Sequence, residues 1–261
     1  MTAPLLIETL PRGVVRVVLN RPEVLNAFDE TLIAALDDAF ARLGQDDTVR
    51  VIVLAATGRA FCAGADIGWM RRAAANDEAA NLADARTFAA MMDRIARCPK
   101  PVVARVQGGA FGGGVGLACA ADIALASRDA VFAVSEARFG ILPAVIGPYV
   151  VNAVGPRAAR RLALTAERID AATALSLGLV SQVCDDAAAL DAAVDRVVDA
   201  LLANGPQAQA EIKQLFGQLA CGPVTAEVRE LTAATISRVR ATDEAREGFQ
   251  AFIEKRPARW V

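Results

Sequence analysis

The sequence predicts an α/β core that is followed by a helical region. Two β-branched apolar runs, at 49–57 and 101–109, have the composition of buried parallel strands, and each leads into a loop of small residues and then a helical pattern. Only helical patterns remain in the last third of the chain. Alternating strands and helices are typical of an α/β domain. We therefore expect a core over residues 1–195 and a helical region over residues 196–261.

Turn and capping residues mark the first elements. Strands at 5–10 and 13–20 are joined by the turn at Pro11, Arg12 and Gly13. Asp29 is a suitable N-cap for an amphipathic helix from about 30 to 43, which Gly44 would end. The later elements, in chain order, are a strand at 49–57, a helix at 78–97, a strand at 101–109, short strands at 121–127 and 130–134, and helices from about Pro148 onward, one of them at 187–203.

Composition places the chain among globular proteins. Its 261 residues are 54% hydrophobic and 22% charged, which is enough apolar material for a sizeable core. The net charge is −2 without a block of like charges, so neither a nucleic-acid footprint nor a polybasic membrane patch is present. No stretch approaches the roughly 20 apolar residues of a membrane span. We expect a cytoplasmic protein with no nucleic-acid or membrane partner.

The reactive side chains point to carboxylate chemistry. The sequence has no histidine, which excludes Ser-His-Asp and Cys-His nucleophile schemes and removes the commonest metal ligand. Its five cysteines are odd in number and form no CxxC pair, so we expect small buried hydrophobes, with no disulfide framework and no metal site. Acid–base chemistry then falls to lysine, cysteine, the single Tyr149 or carboxylates, and carboxylates are the first candidates. The cysteines are Cys62, Cys98, Cys119, Cys184 and Cys221.

Two strand-to-helix corners, FCAGADI (61–67) and AFGGGVGLA (110–118), share one design. In each, a strand ends in a small-residue turn and a helix begins with unpaired N–H groups. Two such donors that meet at one carbonyl oxygen form an oxyanion hole. The alternative is that the glycines only allow close helix–strand packing. Neither a G-x-G-x-x-G nor a G-x-x-x-x-G-K-[ST] pattern runs through these residues, which excludes a dinucleotide fingerprint and a P-loop.

Six segments in order, spread over nearly the whole chain, resemble the crotonase (enoyl-CoA hydratase/isomerase) superfamily. The resemblance implies a spiral of ββα turns with a C-terminal helical region that makes trimers, often paired into hexamers. It also implies an acyl-CoA thioester substrate and no cofactor besides the coenzyme A of that substrate. Two backbone N–H groups hold the thioester oxygen in this family, and they map to Ala65 and Gly113. The segments are RPEVLNAF, GRAFCAGADI, KPVVARVQGGAFGGGVGLACAADI, FAVSEARFGILP, LTAERIDAATALSLGLV and EGFQAFIEKRPARW.

The resemblance breaks at one catalytic position. Typical hydratases of the family hold and activate water with two glutamates. The second of these maps to Glu136, whereas the first maps to Gly116. Asp66 and Asp122 lie nearby, but we expect Asp66 to cap or brace its loop and Asp122 to be structural. One of the two acids, the one that maps to Gly116, is therefore missing from this sequence.

Glu136 alone is a candidate general acid or base, provided that burial raises its pKa. The alternative is a surface glutamate that is solvated or paired with Arg138. The side chains expected to remove water from it are Phe132, Val134, Phe139 and Ile141.

The remaining site residues follow from the resemblance alone. Phe252 and Lys255 either contact coenzyme A or form the solvated end of an amphipathic helix, and the sequence favours neither interpretation. A distal carboxylate on the acyl group would need a cation, for which Arg138 is the first candidate and Arg71 and Arg72 are others. The expected coenzyme A contacts are Leu25, Ala27, Ala63, Asp66, Ile67, Phe252 and Lys255.

Three functions remain open. The first is hydration of a 2-enoyl-CoA in fatty acid or leucine breakdown. After Glu136 the chain has LPAVIGPYVV in place of the glycine-rich run of many members, and it looks most like a bacterial subgroup that hydrates 3-methylglutaconyl-CoA or isohexenylglutaconyl-CoA. The second is Δ3,Δ2-enoyl-CoA isomerisation, for which one carboxylate suffices. The third is an inactive protein that binds acyl-CoA. Other thioester chemistry, such as hydrolysis, is a remaining alternative.

Overall fold

A computed structural model describes residues 3–219 and 221–261 of the chain. The strands are β1 (Leu5–Leu10), β2 (Val14–Leu19), β3 (Val51–Ala56), β4 (Val102–Val106), β5 (Gly109–Phe111), β6 (Ile123–Ser127), β7 (Val131–Ala133), β8 (Ile169–Asp170) and β9 (Gln182–Cys184). The helices are α1 (Glu30–Gln45), α2 (Ile67–Ala75), α3 (Glu78–Ala96), α4 (Gly113–Ala120), α5 (Gly147–Thr165), α6 (Ala171–Leu177), α7 (Ala187–Leu202), α8 (Pro206–Phe216), α9 (Ala226–Arg240) and α10 (Asp243–Glu254).

The strands form two sheets. The larger has the order β1-β2-β3-β4-β6-β9; β1 and β2 are antiparallel, and every later neighbour is parallel. The tight turn at Pro11–Gly13 allows the antiparallel pair, with Arg12 in the left-handed region at φ 62°. Parallel neighbours need long crossovers, and the helices supply them. The smaller sheet has the order β5-β7-β8, in which β7 is parallel to β5 and antiparallel to β8.

Helices cover both faces of the larger sheet. Val51 and Val53 belong to a buried cluster that includes Leu190 of α7. Ile52 and Leu54, which alternate with them along β3, belong to the cluster formed with α1, α3 and α4. A strand buried on both faces has no polar positions, which is why β3 reads as a continuous apolar run. The predicted alternation of buried parallel strands with helices is confirmed.

Most predicted elements are present, with shifted ends. Asp29 caps α1 as predicted, since its Oδ1 accepts a hydrogen bond from the Leu32 N–H at 2.9 Å. The expected stop at Gly44 is wrong, because α1 continues through Gln45. A second difference is a break in α5 at Gly155, where φ is 77° and Pro156 follows.

Polar contacts attach the C-terminal helices to the core. Lys213 of α8 forms an ion pair with Asp122 at 2.6 Å, and Glu244 of α10 accepts hydrogen bonds from the first N–H groups of α8. In α9 no residue is buried. The division expected between 195 and 196 falls inside α7, which packs on the larger sheet, so the two-part organisation stays a prediction. Exposed large apolar side chains of these helices include Ile212, Phe216, Ile236, Phe249, Phe252 and Ile253.

The cysteines are free thiols. Cys62, Cys98 and Cys184 are buried as predicted, and Cys119 is partly buried. Burial raises the pKa of the Cys62 and Cys119 thiols to about 12, so these thiols stay protonated. The expectation of burial is wrong for Cys221, which is exposed. Among the described helices, none has the length and apolar character to cross a membrane.

Candidate active site

A cavity of about 500 Å³ contains all three residues predicted to be catalytic. Ala65 lies on one wall, Gly113 at the start of α4, and Glu136 at the turn that follows β7. The helices α2 and α3 form a further wall. The two corners identified in the sequence therefore open onto one site, together with the predicted acid.

The Ala65 N–H is left free by the pairing of its neighbours. Phe28 donates its N–H to the Gly64 carbonyl at 2.7 Å and accepts from the Asp66 N–H at 2.8 Å. These two bonds form a parallel bridge between Phe28 and Ala65. The N–H of the central residue in such a bridge points away from its partner strand. Within the described residues no acceptor binds the Ala65 N–H.

Gly113 presents a second N–H because it is the first residue of α4. The first N–H groups of a helix have no intrahelical acceptor, and Gly112, the N-cap, has no side chain to supply one. A Cβ on Gly113 would lie 2.9 Å from Cε2 of Phe28, and one on Gly114 would lie 2.3 Å from the Cys62 carbonyl oxygen. The glycine run thus serves close packing, and the same packing keeps a donor uncovered at the cavity wall.

Glu136 begins a short 3₁₀ turn, Glu136–Phe139, directly after β7. Its Oε1 lies 3.0 Å from the place that a Cβ on Gly112 would occupy, and Gly112 has a φ of 50°, so a side chain at position 112 would be crowded by the carboxylate and strained in its backbone. Its Oε2 is buried without a hydrogen-bond partner in the described structure. Burial raises the pKa of Glu136 and outweighs the backbone N–H groups of Glu136 and Ser135, which lower it.

Arg138 does not pair with Glu136. It donates instead to the Ala166 carbonyl at 2.8 Å. Of the four side chains expected to remove water from Glu136, Phe132 and Val134 are buried in the core. Phe139 and Ile141 line the cavity but are more than half exposed. The carboxylate is therefore shielded mainly by its own turn and the core side of the cavity.

The raised pKa of Glu136 should make the free energy of unfolding depend on pH. Because its folded-state pKa lies above the unfolded value, the protonated form is favoured by folding, and that contribution is lost as the pH rises through the folded pKa. We expect the free energy of unfolding of the parent to fall relative to Glu136→Gln as the pH rises above about 4.5. Urea unfolding between pH 4.5 and 8 measures this difference, with the exposed Glu23→Gln as control. Parallel curves for parent and Glu136→Gln would contradict it.

Gly116 is buried in α4 and does not line the cavity. A Cβ there would lie 2.4 Å from Cγ2 of Ile146 and 3.3 Å from Cε of Met92. Ile146, which does line the cavity, thus occupies the space of a side chain at position 116. Where the resemblance places a second carboxylate, the wall is apolar.

The two nearby aspartates have structural roles, as expected. Asp122 accepts from the Val102 N–H at 2.7 Å and pairs with Lys213. Asp66 caps α2 by accepting from the Gly68 N–H at 2.7 Å. Neither lines the cavity. They do not replace the missing acid.

A partly buried ion cluster braces the segment that carries the Ala65 N–H. The Arg21 guanidinium pairs with Asp29 at 2.7 Å and with Asp66 at 3.4 Å, and all three side chains are less than a fifth exposed. Asn26, fully buried, donates its Nδ2 to the carbonyl of Ala60 and accepts from the Arg21 N–H. This network holds the 26–29 and 62–66 segments together. This network was not predicted from the sequence.

The predicted coenzyme A contacts are dispersed. Ala63 lines the cavity, whereas four other core residues predicted to bind coenzyme A do not; these are Leu25, Ala27, Asp66 and Ile67. Phe252 and Lys255 are exposed at the end of α10, also outside the cavity.

Among the arginines considered for a distal carboxylate, Arg138 lines the cavity. Arg72 is paired with Glu30 at 2.7 Å, and Arg71 lies outside the lining. Sequence reasoning missed Arg168 and Asp84, which both line the cavity. Asp84 precedes the lining residue Phe88 by four positions, which is the spacing of one helix face.

Residues 9–261 match the enoyl-CoA hydratase/isomerase family. A crystal structure of an enoyl-CoA hydratase from Shewanella pealeana is 42% identical, has a TM-score of 0.95, and is matched over 98% of this chain and 96% of its own. The mitochondrial enoyl-CoA hydratase of Pongo abelii is 34% identical over 92% of this chain and 81% of its own. The 1,2-epoxyphenylacetyl-CoA isomerase of Escherichia coli is 35% identical over 72% of each chain.

The fold, with its two sheets and the cavity between corner loops, is a crotonase fold, as the sequence resemblance implied. The protein is an enzyme of the lyase and isomerase class that this fold supports. The chain belongs to the enoyl-CoA hydratase/isomerase family.

Proposed function

We propose that the protein adds water to the double bond of a 2-enoyl-CoA. The observation that carries this proposal is the buried Glu136 carboxylate, whose Oε2 has no hydrogen-bond partner in the described structure, in the cavity that also holds the free N–H groups of Ala65 and Gly113. Two backbone donors suit a thioester oxygen that gains negative charge, and a buried carboxylate suits proton transfer beside it.

In the proposed reaction one carboxylate serves both proton transfers. Ionised Glu136 removes a proton from water as the water oxygen bonds to Cβ of the acyl group. The electron pair of the double bond moves toward the thioester oxygen, where Ala65 and Gly113 donate hydrogen bonds. Glu136 then returns the same proton to Cα, which restores the carboxylate and the neutral thioester. The product is a 3-hydroxyacyl-CoA, and atoms and charge balance without another acid.

The test is a panel of short, branched and carboxylated 2-enoyl-CoA esters. We expect the absorbance of the conjugated thioester to fall, and mass spectrometry to show the gain of one water. No turnover of any member would overturn the proposal. Binding of acyl-CoA without turnover would favour the inactive binding protein instead.

The apolar wall at Ile146 favours a second candidate, Δ3,Δ2-enoyl-CoA isomerisation. A single carboxylate suffices for this reaction, because it removes a proton from the acyl C2 and returns it to C4, moving the double bond into conjugation. A relative matched here is itself named as a CoA-ester isomerase. Formation of the conjugated product from a 3-enoyl-CoA, faster than hydration of the 2-enoyl isomer, would put this function first.

We propose a branched glutaconyl-CoA as the substrate, such as 3-methylglutaconyl-CoA of leucine breakdown or isohexenylglutaconyl-CoA. Support comes from the sequence after Glu136 and from the cations at the cavity, Arg138 among them. The coenzyme A would run along the Ala63 side of the cavity, past the loop residues Leu25, Ala27, Asp66 and Ile67. The reaction would need no other cofactor, and the protein would act in the cytoplasm.

We further propose that the chain assembles as a trimer or a pair of trimers. Support comes from the C-terminal helices, which expose large apolar side chains such as Phe249 and Phe252 and bury few of their own. Light scattering coupled to size exclusion is expected to give three or six times the 27.3 kDa of one chain. Phe252→Asp should shift the mass toward that of one chain, because a charge on a buried apolar contact is costly. A parent that elutes as a monomer at high concentration would contradict the prediction.

A further inference from the structure

Two arginines line the cavity that holds Glu136, and within the described part of the chain only one of them donates a side-chain hydrogen bond. Arg138 donates to the Ala166 carbonyl at 2.8 Å. Arg168 lies over the Phe111 ring, with its guanidinium carbon 5.4 Å from the ring centroid. Among the described residues no carboxylate lies within ion-pair distance of Arg168. Arg168 is exposed and lines the cavity, so its guanidinium is accessible to a ligand there.

The location of Arg168 follows from the smaller sheet. Arg168 immediately precedes β8, which pairs with β7, and Phe111 ends β5, which pairs with β7 from the other side. Arg138 reinforces this arrangement, because its bond to Ala166 ties the Glu136–Phe139 turn to the segment that carries Arg168. The cation is thus held by the same turn that carries the acid.

The backbone also sets the order of groups along the cavity. The Cβ direction of Gly113 faces Phe28, on the side of the Ala65 N–H. The Cβ direction of the preceding Gly112 faces Glu136. Phe111, one residue further back, carries the ring on which Arg168 rests. Three consecutive residues of this corner, Phe111 to Gly113, thus adjoin in turn the cation, the acid and the donor side of the site.

We infer that Arg168 binds a carboxylate at the far end of the acyl group, so that the substrate is the CoA monoester of a dicarboxylic acid. This inference rests on the proposed function, which places the thioester at Ala65 and Gly113. A guanidinium binds a carboxylate through two parallel hydrogen bonds, and the aromatic surface below it holds it flat. The coenzyme A phosphates are the other anions available, but their proposed path lies on the Ala63 side.

The test compares ligands that differ by one carboxylate. For turnover the pair is 3-methylglutaconyl-CoA and 3-methylcrotonyl-CoA; for binding without turnover it is glutaryl-CoA and butyryl-CoA. The variants are Arg168→Gln, Arg168→Lys, and Arg157→Gln as an exposed control outside the cavity. We expect Arg168→Gln to lower the carboxylated-to-neutral ratio of kcat/KM, and of affinity, about 10- to 100-fold, since hydrogen bonds to charged groups have that strength. Arg168→Lys should keep part of the preference.

The remaining outcomes either overturn the inference or separate it from the proposed reaction. An equal loss for both members of a pair means that Arg168 contacts coenzyme A or supports the fold, and a thermal melt separates these two. A parent that shows no preference for the carboxylated member of either pair excludes the carboxylate site while hydration of 2-enoyl-CoA still stands. If the parent binds glutaryl-CoA more tightly through Arg168 but hydrates nothing, the carboxylate site stands and the proposed reaction fails.

Discussion

Glu136→Gln is expected to lower kcat for the proposed hydration about 10²- to 10⁴-fold, the range that general acid–base groups contribute. Glutamine matches the size of glutamate but does not accept the proton from water. The fold should persist, because Oε2 of Glu136 has no hydrogen-bond partner to lose. The fall in kcat is measured from the rate at which the enoyl-thioester absorbance is lost, and KM is determined separately. An unchanged KM would show that the loss is in the chemical step.

Asp84→Asn is the matched control for Glu136→Gln, because Asp84 is the other carboxylate among the residues that line the cavity. It should cost far less than Glu136→Gln, since Asp84 lies on α3, whereas Glu136 lies beside Gly112 at the corner that carries the Gly113 donor. Equal losses would mean that the two carboxylates share the proton transfers. Full activity of Glu136→Gln would remove Glu136 from the mechanism.

Gly116→Glu, which puts back the acid of a typical hydratase, is expected to destabilise the protein by about 3 kcal/mol or more rather than to improve it. The new Cβ would meet Cγ2 of Ile146 at 2.4 Å, and the carboxylate would enter an apolar region next to Met92. Urea unfolding gives the free energy of unfolding directly. An unaffected stability would mean that Ile146 moves aside at little cost.

A double-mutant cycle with Ile146→Ala tests the cause of that destabilisation. Ile146→Ala alone removes a buried side chain and should cost about 2–5 kcal/mol. Because the two side chains compete for one space, Gly116→Glu should cost less in the Ile146→Ala background, with a coupling of about 0.5–3 kcal/mol. Additive losses would contradict the competition. Any gain in hydration by the double variant over Ile146→Ala would show that the second carboxylate reaches the cavity.

The sequence was sufficient for the parts of the site that are local in the chain. The corners at 61–67 and 110–118 were predictable because a small-residue turn between a strand and a helix leaves backbone donors bare. Asp29 was predictable as a cap for the same kind of reason, since its partner N–H lies three residues away.

The unpredicted parts depend on contacts between distant segments. Arg168 reaches the cavity only because β8 pairs with β7, and nothing in its own segment marks that pairing. Ile146 fills the space beside Gly116 from thirty residues further along the chain. The Arg21 cluster likewise joins the 26–29 and 62–66 segments, whose meeting depends on the course of the whole larger sheet. The spacing of residues along the sequence does not show which distant segments come into contact.

The bridge between Phe28 and Ala65 has a consequence for how this site tolerates mutation. A donor that belongs to the main chain is present in every residue type except proline. Changing Ala65 to serine or valine therefore keeps the proposed thioester donor, whereas Ala65→Pro deletes it. The position of the Ala65 N–H is set by other residues, namely by the pairing with Phe28 and by the Arg21 cluster that holds the segment. A mutational scan should thus find that position 65 tolerates most substitutions, whereas Phe28 and the residues of the Arg21 cluster do not. Loss-of-function variants would then identify the residues that position the donor and not the residue that carries it.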